Sequence, residues 1–136
     1  MRWVTREHCH VDRTACAWLI RRFIDPEAAF VFVADPSRLP ADATPFDITG
    51  HAFSHHGGAS TFEVMIEHYR LDAPGLAALS RIVHEADIED ERYDAPEAAG
   101  LDALIRGLGG ILGDERLLEV SATLYDGFLA NLAARP

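Results

Sequence analysis

Near the start of the chain, hydrophobic residues come in short unbroken runs. Residues 2–6 (RWVTR) read as a strand. Residues 29–33 (AFVFV), rich in aromatic and β-branched side chains, read as a buried strand. Between them, residues 13–24 carry the apolar periodicity of a helix. Asp12 or Thr14 is its candidate N-cap, and Asp25-Pro26 stops it. The prolines and Ser37 in residues 35–40 mark a loop. Phe46-Asp47-Ile48 reads as a third short strand, closed by Thr49-Gly50.

The pattern changes after residue 50. Residues 51–60 have no regular period. Ser60 followed by Glu63 has the spacing of a capping box, and Phe62, Met65, Ile66 and Tyr69 then share one helical face. Leu76, Leu79, Val83 and Ala86 predict a helix near 74–88. Leu101, Leu104, Ile105 and Leu108 predict another, and Leu117, Leu124, Phe128 and Leu132 a last one from about 115 to 133. Gly107, Gly109, Gly110 and Gly113 read as a helix break before it. They make a poor phosphate loop, because no strand precedes them and the Lys-Ser/Thr pair is missing. A strand, a helix and a strand in succession favour a parallel pair with a right-handed crossover. The fold class expected is α/β: a small, mainly parallel three-stranded sheet with a largely α-helical C-terminal half.

A chain of 136 residues, 49% hydrophobic, is one domain with a core of its own. The formal net charge of −10, with no lysine, argues against tracking nucleic-acid phosphates. No apolar run approaches a membrane span. The first residues lack the apolar stretch and small-residue cleavage site of a signal peptide, so the expected location is cytoplasmic, with Cys9 and Cys16 reduced. The apolar helices leave a homodimer open.

The chemistry gathers in three places. His8, His10 and Asp12 follow the first strand. Were that strand to run on to Asp12, the three would share a face. His51, His55 and His56 follow the third strand, with Gly57-Gly58 giving the loop freedom to aim them. His84 and Asp87 lie one helical turn apart, ahead of the acidic run Glu89-Asp90-Glu91. Open α/β sheets bind ligands beyond the carboxyl ends of their strands. The candidate metal ligands are therefore His10, Asp12, His55, His56, His84 and Asp87. Imidazole with carboxylate suits a divalent transition metal such as Zn, Fe, Mn or Ni. Cysteine count and spacing exclude a zinc ribbon. Arg13, near Arg21 and Arg22, is the candidate receiver of a small oxyanion.

The words HVDRTACAWLIRRFIDPEA, ATPFDITG, HHGG, STFE, RIVHEADIED and APEAAGLDALIRGL stand in order over roughly residues 2–130. In them the chain resembles the C-terminal domain family of the chromate-resistance protein ChrB. The resemblance implies a role in bacterial chromate tolerance and in regulating chromate efflux. The frame expected is a metal-binding domain that senses or binds chromate- or sulfate-type oxyanions. A second, distant similarity is to DHH-type metal-dependent phosphoesterases, through His10-x-Asp12, Asp47 and His55-His56. Ser54 stands where that family has Asp. It keeps open the alternative of a metal-dependent enzyme, redox or hydrolytic, in which His84, Asp87 or Asp12 would serve as a base.

Overall fold

The computed structural model describes residues 1–135. In chain order the elements are β1 (Arg2–Arg6), α1 (Val11–Leu19), β2 (Ala29–Val33), β3 (Ala43–Pro45), α2 (Thr61–His68), α3 (Leu76–Asp87), α4 (Ala98–Ile111) and α5 (Asp114–Ala133). The sheet order is β2-β1-β3, and both neighbours run parallel to β1. Trp3, Val4 and Thr5 are each at most 1% exposed. Successive strand residues point to opposite faces, so this central strand is covered on both sides, as parallel strands generally are.

α1 is the pivot of the domain. All its residues but Arg13 are buried, and it packs against α5, α2 and α3. The Thr14 and Tyr125 hydroxyls meet at 2.7 Å, tying it to α5. It runs on into one wide π turn, Ile20–Ile24, which closes before the Asp25-Pro26 stop. β1 ends at Arg6 and α1 begins at Val11, so His8, His10 and Asp12 share neither a strand nor a face. His10 is the N-cap residue, without a side-chain capping bond.

Three other expectations are corrected. The third strand lies at Ala43–Pro45 rather than 46–48. Phe46 and Ile48 are instead core plugs, 0% and 3% exposed, and Asp47 between them adopts φ 54°, which no strand tolerates. The helix α4 runs straight through Gly107, Gly109 and Gly110 and ends at Ile111, so those glycines do not break it. Leu104, expected in the buried stripe, faces out, and Ala98, Leu101 and Ile105 hold the core side.

Gly75 is required where α3 begins. Its φ is +84°, and a Cβ there would lie 2.8 Å from the Ala133 backbone nitrogen at the end of α5. Among the described residues no helix is long and apolar enough to cross a membrane.

Candidate functional site

The carboxyl edge of the sheet is where three segments converge. β3 delivers Phe46, whose N–H donates to the Val4 carbonyl, and Asp47 follows at once. α1 begins beside it and presents Asp12 from its first turn. The loop 51–59 brings His55, and the last residue of α3 brings Asp87.

Asp12 is 1% exposed and organises the cluster. The backbone N–H groups of Thr61 and Phe62 both donate to it at 2.9 Å. A carboxylate from one helix thereby satisfies the free N–H groups at the start of another. The α2 start is secured further by the capping box expected from sequence. The Glu63 N–H donates to Ser60 Oγ at 3.2 Å, and the Ser60 N–H donates to Glu63 Oε1 at 2.9 Å.

His55 Nε2 lies 2.9 Å from Asp12 Oδ2, 3.3 Å from Asp87 Oδ2 and 3.7 Å from Asp47 Oδ1. The Asp12 hydrogen bond, then the charges of Asp12, Asp47 and Asp87, outweigh burial and hold the imidazole up to about 9. Burial, then the charges of Asp12 and Asp47, push Asp87 up to about 6. Asp47 is raised by burial and by Asp12, against the Thr61 hydroxyl bond and Arg13. Negative charge is thus crowded here beyond what its neighbours neutralise. At metal–ligand distances of about 2.1 Å, adjacent donors stand roughly 3.0 Å apart in an octahedron and roughly 3.4 Å in a tetrahedron. The spacings from His55 to Asp12, 2.9 Å, and to Asp87, 3.3 Å, lie close to those values, and the nitrogen-plus-oxygen donor set fits a divalent transition ion.

His84 occupies a second cluster. Its side chain is fully buried, with Nδ1 2.6 Å from Glu63 Oε1 and Nε2 3.0 Å from Asp90 Oδ1. Tyr93 packs edge-on to the ring at 5.0 Å. A ring with a carboxylate on each nitrogen donates from both when it is an imidazolium. Burial opposes that charge, but the bonds to Glu63 and Asp90 and their charges outweigh it, and His84 is raised. Glu85 belongs to the same group and could share an ion with His84 and Asp90. It also accepts the Arg92 N–H at 2.8 Å.

The remaining candidates are dispersed. His10 is exposed, and burial of its ring with the charges of Arg106 and Arg13 lowers it. His56 closes its own turn, with Nε2 3.1 Å from the Ala52 carbonyl and 3.2 Å from Ser54 Oγ. Arg13 donates to Asp47 at 3.0 Å and to the Glu7 carbonyl at 3.3 Å. Arg21 donates to the Ala28 carbonyl, and Arg22 pairs with Asp126. The three arginines therefore answer separate partners. Cys9 and Cys16 are free and buried. Burial raises both thiols, and neighbouring carboxylates, Asp114 for Cys9 and Asp12 for Cys16, raise them further.

The ligands proposed from sequence omit Asp90 and Asp47, and Glu63 reads there as a cap ahead of a ligand. Asp90 lay in an acidic run that reads as solvated. Asp47 has one legible signal, its place between His10-x-Asp12 and His55-His56 in the distant phosphoesterase-like order.

Fold and site together define a small α/β domain whose sheet edge holds an imidazole among carboxylates. A family model described as ChrB, C-terminal domain, matches residues 3–132, and the chain belongs to that family. It is 39% identical over 134 residues to Protein ChrB of Cupriavidus metallidurans, which covers 97% of this chain and 41% of that protein. The chain thus spans about two-fifths of the curated relative's length. No solved structure matches it.

Proposed function

We propose that this chain is a metal-binding domain of a bacterial chromate-resistance system. It binds one divalent transition metal through Asp12, His55 and Asp87, with Asp47 alongside, and takes a chromate- or sulfate-type oxyanion there in regulating resistance. Membership of the ChrB C-terminal family supports the physiological frame. The observation that carries the metal is the crowding of three aspartates within 3.7 Å of a single His55 nitrogen. A bound divalent ion supplies Lewis acidity and the positive charge an oxyanion needs. In this reading the metal rather than Arg13 supplies that charge, since Arg13 Nε already donates to Asp47 Oδ2. Its role in this proposal is to hold Asp47 in place. His55, half exposed, is the side through which an anion reaches the cluster.

Elemental analysis and calorimetric titration with Zn²⁺, Mn²⁺ and Ni²⁺ test the site. The expected result is near one metal per chain in the wild type, and loss in His55→Ala and Asp87→Asn. His10→Ala and His56→Ala should retain it. With metal bound, sulfate or chromate should raise Tm; without metal it should not. Equal metal content in all variants, or none in the wild type, overturns the reading. The enzyme reading has one observation in its favour: Asp87, pushed up to about 6, is a carboxyl able to exchange a proton near neutrality. Chelator-sensitive turnover of a phosphodiester or of chromate would favour it.

A further inference from the structure

The outer face of α4 has no partner among the described residues. Ala98, Leu101 and Ile105 face the core. The opposite side presents Ala99, Gly100, Ala103, Leu104, Gly107, Gly110 and Ile111, with no charged group among them. Leu104 is 47% exposed and Ile111 78%, two of the three large hydrophobic residues exposed among those described. Glycine weakens a helix interior relative to alanine. Yet a Cβ at Gly100, Gly107 or Gly110 would meet nothing within 4 Å. Among the described residues nothing requires glycine at these places, and nothing covers the leucine and isoleucine beside them. Large apolar side chains left in water beside missing ones are the mark of a surface met by something outside.

We propose that this face is the contact between two copies of the chain, packed α4 against α4 in antiparallel fashion across a two-fold axis. Gly100, Leu104, Gly107 and Ile111 follow at spacings of four, three and four, which puts them on one stripe. Turned end for end about a point between Ile105 and Arg106, the stripe maps onto itself: Gly100 meets Ile111, and Leu104 meets Gly107. Each large side chain then faces a glycine of the other copy. Self-complementarity of this kind is what a two-fold contact demands. Large side chains seated over glycines also let two helix backbones approach closely.

Charge works against this occupant elsewhere on the chain but not at the stripe. Each copy carries a formal −10, which sets two copies against each other on approach. On α4 the charges, Asp102 and Arg106, pair with each other at 2.9 Å within the helix. The stripe is therefore a face on which like copies can meet without bringing acidic groups together.

Sedimentation of the full chain from micromolar to submillimolar concentration tests this. The wild type should dimerise, and added salt should strengthen or leave the dimer by screening the repulsion elsewhere. Ile111→Lys and Gly107→Leu should each weaken association about ten-fold or more. Neither position packs inside the domain, so thermal melts should confirm that both fold. The double variant Leu104→Gly/Gly107→Leu exchanges knob and hole and should restore association relative to Gly107→Leu alone. A monomeric wild type would overturn the proposal and leave the face to a different partner. So would a Gly107→Leu protein that dimerises like the wild type, or a double variant that gains nothing.

Discussion

His55 and His84 sit in neighbouring clusters of the same residue types and live under opposite conditions. His84 is fully buried, and each ring nitrogen has a carboxylate, Glu63 on one side and Asp90 on the other. Its hydrogen bonds are complete, and it joins α2, α3 and the segment after α3. His55 is 48% exposed and turns one nitrogen toward Asp12, Asp47 and Asp87 together. There the carboxylates outnumber the protons that could satisfy them. An imidazole between two acids is a strut, whereas an imidazole facing three acids with its other side in solvent is the makings of a cation site.

The largest expected effect lies on the strut. His84→Ala strips Glu63 and Asp90 of their shared cation and leaves a ring-sized void. Breaking the His84–Glu63 pair, the buried one of the two, costs about 3 kcal/mol, the low end of the range for buried pairs. Urea melts measure it, and a loss below about 1 kcal/mol would mean that the pairing adds no more than a surface ion pair does. The same cluster sets a pH dependence. His84 is raised above 6.5, so its contribution is full below that value and fades as pH rises through the folded value. Glu63 is lowered from 4.5, chiefly by the Ser60 N–H and His84 bonds working against burial, so its share fades as pH falls below that range. The stability difference between wild type and His84→Ala should therefore be greatest from about pH 5 to 6 and shrink on both sides. A flat difference from pH 5 to 10 would remove the ionic account.

Ser60→Ala should cost about 1 kcal/mol through the lost α2 cap. Because Asp12 braces the same helix start, a near-zero loss would show that Asp12 alone suffices. The smallest stability effect belongs to His55→Ala, less than about 1 kcal/mol for a half-exposed ring. Its metal content should nevertheless collapse. A large stability loss with metal retained would reverse the contrast between the two histidines.

Local signals were legible where one segment decides the outcome. The β1 and β2 runs, the Ser60–Glu63 box and the apolar stripe of α3 all lie where sequence places them. The third strand was displaced because an alternating apolar pattern does not distinguish strand residues from plugs driven into a core. Pro45 is tolerated in β3 because that strand is an edge of the sheet. His10 and Asp12 looked like partners by spacing. Helix α1 starts between them at Val11, and that start turns Asp12 inward to α2 and leaves His10 outside.

By itself, the sequence determined the α/β class, the parallel sheet, the ends of most helices and the pool of histidines and carboxylates from which a site is drawn. These follow from periodicity, caps and turn residues, which act over a few positions. Only the tertiary structure decided which members of that pool meet. It joined Asp12, Asp47, His55 and Asp87 from four segments, gave His84 to Glu63 and Asp90, and committed Arg13 to Asp47. Such pairings depend on where the chain returns after tens of residues and on which charges burial forces together, and neither quantity is written in the spacing of residues along one segment.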